Sequence, residues 1–264
     1  MVKLQVYIIG LRNIFLGINL ITLKLLLNPK KLVSVISKLL FHYSTLSDKG
    51  RFKQKNPDEV INSEKNYNIK INMNNKEFWG CDSSYSKDII TLCILSKLIQ
   101  AQRIFEIGTF NGFTALRFGM NSNSNSKFFT LDLPIDGKIN NLLLKSTLID
   151  IKIQRKHNQI KEYYFTGTAY ENKINCLFGD SAIFDFSNFH DNIDLFFIDG
   201  AHSYEYVRSD TMNAVKCVRE GGVVVWHDYG RWGVNGVSKW LHEFSSKENI
   251  IYSVPGSSLA WMIR

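Results

Sequence analysis

The chain has 264 residues, 45% of them hydrophobic, which suits one large α/β domain with an extension. Its formal net charge of +8 is unevenly placed: residues 1–47 hold six Lys/Arg and no Asp/Glu, leaving 26 basic against 24 acidic residues in the remainder. Nucleic-acid binding needs a basic face on the folded body, so no nucleic-acid partner is expected. Cys81, Cys93, Cys176 and Cys217 form no CxxC spacing. That argues against a zinc or dithiol site and for free thiols in a reducing, cytoplasmic setting.

In chain order, LRNIFLGINLITLKLLLNPKKLVSVISKLL reads as two helices broken at Asn28-Pro29. Its uninterrupted apolar part is about ten residues, against about 20 for a membrane span. No small-x-small cleavage site follows it. Lys24, Lys30, Lys31 and Lys38 lie along these apolar helices. Two readings stay open: peripheral contact with an acidic membrane surface, or packing on the domain or on a second subunit of a homo-oligomer. Residues 1–47 are thus a basic apolar helical extension, 48–76 a polar linker or cover rich in Asn and Lys, and 77–264 the main domain.

From Ser84 onward strands and helices alternate. SKDIITLCILSKLIQ has helical spacing, RIFEIG is a short buried strand and NGFTALRFGM a helix. KFFTLDL, NKINCLFGDS, DLFFIDG and GGVVVWHDY supply further strands, with helices expected near 140–150, near 157–164 and at YEYVRSDTMNAVKCV. Such alternation predicts a doubly wound sheet of parallel strands, with ligands at their carboxyl ends. At the end, IIYSV and LAWMI flank PGSS and predict an antiparallel hairpin closing the sheet edge.

Acids and glycines gather at those strand ends. In RIFEIGTFNG, Gly108 and Gly112 allow a sharp turn and close approach of a ligand to the main chain, with Glu106 beside it. The third glycine of GxGxxG is absent. Asp132 ends the second strand, where a carboxylate can accept hydrogen bonds from ribose hydroxyls. Asp180 and Ser181 end the third, within reach of an adenine edge.

FEIGTFNG, LDLP, FGDS, IDLFFIDGAHSYEYVRSD and GGVVVWHDYG together resemble the class I S-adenosylmethionine (SAM) dependent methyltransferases, specifically the small bacterial branch labelled methyltransferase family 24. The resemblance runs from roughly Ser84 to Arg264. It implies a Rossmann-like, seven-stranded, mostly parallel sheet with an antiparallel C-terminal hairpin. It also implies SAM binding through Glu106, Gly108 and Thr109 beside the methionine part, Gly112 at the helix start, Asp132 at the ribose, and Asp180 with Ser181 at the adenine.

On the acceptor side, Asp199 and His202 follow the fourth strand and His227-Asp228 the fifth, so these four are the expected catalytic residues. Two mechanisms fit. Asp199 and Asp228 could bind a divalent cation such as magnesium that acidifies an acceptor hydroxyl. The resembling metal-dependent enzymes carry an acidic or amide pair at the fifth strand end, where this chain has His227, a poorer match to magnesium. Alternatively His202 or His227 is a general base, oriented by Asp199 or Asp228. Tyr229, Trp232 and Trp240 could wall the acceptor or pack in the core; His42, His157, His190 and His242 read as surface residues. The expected activity is O-methylation of a small molecule, sugar or lipid-linked glycan. A dinucleotide oxidoreductase and a non-catalytic binding protein are the competing readings.

Overall fold

The computed structural model describes residues 51–61, 68–71, 83–135, 142–231 and 233–264. The N-terminal helices, Cys81, His42 and Trp232 lie outside them.

Eight strands form one sheet: β1 (Lys53–Gln54), β2 (Arg103–Ile107), β3 (Lys127–Asp132), β4 (Ile174–Phe178), β5 (Ile193–Ile198), β6 (Val218–Trp226), β7 (Tyr252–Ser253) and β8 (Ala260–Ile263), in the order β1-β7-β8-β6-β5-β2-β3-β4. The block from β6 to β4 is parallel, while β8 runs antiparallel to both β6 and β7. This is the expected mostly parallel sheet with its C-terminal hairpin. The eighth strand is β1, two residues of the stretch read as linker, paired parallel with β7. Phe52 beside it is buried and stacks on Tyr229 with ring centroids 4.9 Å apart, so residues 51–61 are fastened to the sheet edge.

The helices are α1 (Ser83–Leu98), α2 (Phe113–Asn121), α3 (Leu148–His157), α4 (Tyr204–Cys217) and α5 (Asn235–Phe244), besides a single helical turn at Asp58–Ile61. A single helix at 148–157 replaces the two expected between 140 and 164. The chain beyond His157 runs on as turns. No helix among the described residues is long and apolar enough to cross a membrane, and Cys93, Cys176 and Cys217 are free thiols.

The central strands are apolar on both faces because helices cover both. Phe105, Phe196, Ile198, Val224 and Trp226 pack into one cluster. Their neighbours in sequence, Ile104, Leu195, Phe197, Val223 and Val225, pack into the other. Burying each such side chain contributes about 1.5–3 kcal/mol, so these short strands suffice to hold the sheet.

Register is what places function. Ile107 pairs with Leu131 on one side and Ile198 on the other, Ile198 with Trp226, and Asp132 with Phe178. The residues at or just past these pairs, Gly108, Asp132, Gly179-Asp180, Asp199 and His227, therefore stand in one row along the carboxyl edge. β2 is the point from which the chain winds both ways, with β3 on one side and β5 on the other, the place where such sheets open a crevice.

Candidate active site

The row opens into a cavity of about 660 Å³, lined among others by Gly108, Thr109, Asp132, Asp180, Ser181, Asp199, His202, His227 and Asp228. α3 lies along its rim and contributes Asp150, Ile153 and Gln154.

At one end, Asp132 accepts hydrogen bonds from the backbone N–H of Phe110 (2.8 Å) and of Leu133 (2.7 Å). Burial raises its pKa, opposed by His157, whose Nδ1 lies 3.9 Å from Asp132 Oδ1. Asp180 accepts from the N–H groups of Leu143 (2.9 Å) and Ala182 (3.0 Å) and from the Tyr206 hydroxyl (2.9 Å). Glu106 is buried behind the wall: Oε2 accepts from Thr130 Oγ1 at 2.6 Å, and Oε1 has no hydrogen-bond partner. Desolvation raises its pKa well above the ordinary carboxylate value. The Thr130 hydroxyl lies 2.7 Å from that of Thr109 on the wall.

The other end is a cluster of carboxylates and imidazoles. His202 faces Asp150 Oδ1 through Nδ1 at 2.6 Å and Asp228 Oδ2 through Nε2 at 2.7 Å. His227 faces Asp199 Oδ1 through Nδ1 at 2.9 Å, with Asp228 Oδ1 at 3.3 Å, and Asp88 Oδ2 through Nε2 at 3.2 Å. Arg231 donates to Asp228 Oδ1 at 2.5 Å. Since a carboxylate only accepts, a ring held between two of them carries a proton on each nitrogen. Burial disfavours the charged form of both histidines, but hydrogen bonds and charge from the flanking aspartates prevail. His202 is pushed up to about 10, and His227 stands well above its ordinary value. Asp228 is held well below the carboxylate range, burial being overcome by His227 and His202. The side chains differ in access: Asp199 is 26% exposed, against 8% for Asp228, 6% for Asp150 and 2% for Asp88.

Residues 105–229 match the sequence profile of the methyltransferase domain family known as methyltransferase family 24. These residues form a methyltransferase domain. No curated protein matches the chain in sequence. Similar solved structures include the O-methyltransferase TomG from Streptomyces achromogenes in complex with SAM, 16% identical over 69% of this chain and 81% of that one, with a TM-score of 0.45. An O-methyltransferase from Bacillus cereus in complex with SAH is 15% identical over 69% and 83%, with a TM-score of 0.46. At this distance the likeness concerns fold alone.

Within the methyltransferase domain, all the residues expected from the sequence except Glu106 and Gly112 line the cavity. Both glycines also have close neighbours within the protein. A Cβ on Gly108, whose φ is +102°, would sit 2.1 Å from the carbonyl oxygen of Asp199, and one on Gly112 (φ +76°) 2.5 Å from the Phe165 ring. The β5–α4 turn of the protein itself thus passes close to the Gly108 turn, on whose other side the cavity opens.

Two further corrections concern aromatics and histidines. Tyr229 and Trp240 pack away from the cavity, Tyr229 against Phe52 and Trp240 against Phe244 (centroids 5.6 Å apart). His157 is buried beside Asp132, and His242 is half-buried, its Nε2 3.1 Å from the Tyr229 hydroxyl; His190 alone is exposed. Asp88 and Asp150 escaped the sequence reading. Asp150 carried a signal, as the N3 residue of a capping box with Thr147. Asp88 offered only the oddity of an acid inside the apolar helix α1.

Asp199, His202 and Asp228 each present one atom within 4.8 Å of the others, a spacing a metal ion could use. As they stand, His202 has both nitrogens engaged, and Asp228 divides its oxygens among His202, His227 and Arg231.

Proposed function

We propose that the domain methylates a hydroxyl oxygen of a small-molecule acceptor held at the Asp199 end of the cavity, without a metal ion. When bound, SAM supplies an electrophilic methyl group on positively charged sulfur. Asp180 and Ser181 suit its adenine, Asp132 its ribose, and the Gly108–Thr109 turn its methionine part. The unpartnered Glu106 Oε1, buried and desolvated, is a fit acceptor for that tail's ammonium through a bridging water.

The reading of the acceptor side rests on the gradient of exposure. Of the four clustered aspartates Asp199 is by far the most exposed and so the best placed to meet an acceptor. As the carbon–oxygen bond forms, positive charge gathers on the hydroxyl oxygen and its proton becomes far more acidic than a carboxylic acid. The Asp199 carboxylate can then take it. His227, its Nδ1 2.9 Å from Asp199 Oδ1, sets positive charge beside that carboxylate; His202 and Arg231 fix Asp228 next to it. These residues position and Asp199 accepts the proton. A divalent ion on Asp199 and Asp228 would have to strip a proton from His202 and displace the Arg231 guanidinium, and magnesium gains little from the imidazole in exchange.

Calorimetry with SAM, S-adenosylhomocysteine and NAD should show binding of the first two alone. Release of S-adenosylhomocysteine on a panel of hydroxyl-bearing acceptors should then reveal the substrate. Binding of NAD without SAM would end this reading.

A further inference from the structure

The hairpin between β7 and β8 closes the sheet edge, but its serines also reach inward. Ser257 Oγ donates to Asp88 Oδ1, Ser258 N–H donates to the same oxygen at 3.1 Å, and Ser258 Oγ donates to Asp88 Oδ2 at 2.7 Å. Among the described residues the other hydrogen-bond contact of Asp88 Oδ2 is His227 Nε2, 3.2 Å away. Asp88 is buried, stands on α1 and does not line the cavity.

We propose that Asp88 is a positioning residue for methyl transfer: anchored by the hairpin serines, it holds the His227 ring through Nε2 so that the Nδ1 edge of the ring stays packed beside Asp199. This deepens the proposed function and rests on Asp199 being the proton acceptor. The argument is geometric. An imidazole at a strand end can rotate about its χ2 angle, and a fixed acceptor on Nε2 removes that freedom. With Nε2 held by Asp88, the opposite nitrogen is kept between two carboxylates, 2.9 Å from Asp199 Oδ1 and 3.3 Å from Asp228 Oδ1. A carboxylate that must receive a proton from a bound hydroxyl needs its free oxygen placed to within about 0.5 Å, which a rotating partner could not secure. The relay of contacts therefore runs from the hairpin through α1 and the end of β6 to the end of β5. It ties α1 to the hairpin and to the ends of β6 and β5, three pieces that the sheet already holds side by side.

A tie that merely fixed α1 to the hairpin would leave the His227 ring undisturbed, and this separates the two roles. The measurement is ring ¹⁵N–¹H spectroscopy of the full chain labelled at histidine, with the His227 signals identified by their loss in His227→Gln. In wild type both ring N–H protons should be seen in slow exchange with water. In Asp88→Asn the Nε2–H signal should vanish and the Nδ1–H proton exchange at least about tenfold faster, with SAM affinity by calorimetry within about twofold of wild type. Should that variant fail to fold, Ser257→Ala/Ser258→Ala keeps the carboxylate but loosens it, and the His227 ring protons should again exchange faster. Unaltered His227 signals in either folded variant would overturn the proposal. A wild-type chain that binds no SAM would overturn the proposed function and, with it, the catalytic meaning of the pair. Altered signals with SAM binding intact support both.

Discussion

Asp199 and Asp210 are acids a short distance apart in sequence that do opposite things. Asp199 meets the cavity, and its replacement by Asn keeps the shape and the contact to His227 while removing the proton acceptor. The turnover rate of Asp199→Asn should fall by about 10²–10⁴-fold with SAM affinity unchanged; a fall in affinity with turnover preserved would move Asp199 from chemistry to binding. Asp210, on α4, is fully buried below Gly200, and burial, only partly offset by the Ser181 hydroxyl, pushes it up to about 7. Its unfolded value is near 3.9. Between those values the folded chain holds one proton more than the unfolded, so the group's stabilising contribution is complete below pH ~4 and is lost as pH rises toward about 7. Asp210→Asn, which cannot ionise, escapes that loss. Its stability relative to wild type should therefore improve by something on the order of 1–3 kcal/mol between pH 5 and pH 8, read from thermal unfolding. An offset equal at both pH values would contradict the assignment. Sequence shows that Asp210 falls within a helix, but only packing shows that, among the described residues, the charge acting on it is another carboxylate, Asp180, and no cation offsets its burial.

Helix α3 is the element whose place could not be read in advance. Its apolar residues do not mark an inward face: Leu148 is 77% exposed, Ile153 lies at the cavity rim, and the two buried residues are Asp150 and His157. Seven residues apart, these two point the same way along the helix. One reaches His202 at the acceptor end and the other stands beside Asp132 at the ribose end. Hydropathy reading looks for a greasy stripe and here meets a polar one, so the boundaries came out displaced. The strands, by contrast, were legible because burial on both faces makes each one a short unbroken apolar run; β1, with two exposed residues and no such run, was not. A helix fastened by two polar contacts opens more easily than one fastened by a core. Backbone amides of α3 should exchange with solvent faster than those of α4 in the free protein, and slow by about tenfold or more when S-adenosylhomocysteine fills the cavity. Amides of α3 as protected as those of α4 before ligand is added would show that the polar contacts alone suffice.

On the scale of the whole molecule, the acceptor end of the cavity is where distant parts of the chain meet: Asp88 from α1, Asp150 from α3, Asp199 and His202 after β5, and His227, Asp228 and Arg231 after β6. The strand-end members were legible because a doubly wound sheet sends its strand ends to one edge, whatever lies between them. Asp88 and Asp150 were not, because which helix face meets that edge depends on packing. Four carboxylates this close would repel one another without compensating charge, and the compensation here is organic: two imidazolium rings and a guanidinium. A divalent ion would be a rival for the same oxygens, which already lie within 2.5–2.9 Å of His202, His227 and Arg231. With an acceptor in hand, S-adenosylhomocysteine release should therefore run at the same rate after EDTA treatment and dialysis as before. Added magnesium should leave it unchanged within about twofold, less than 0.5 kcal/mol in the barrier. A rate that collapses on chelation and returns with magnesium would hand Asp199 and Asp228 to a metal ion. His202 would then have to give up the proton that now lies between it and Asp228.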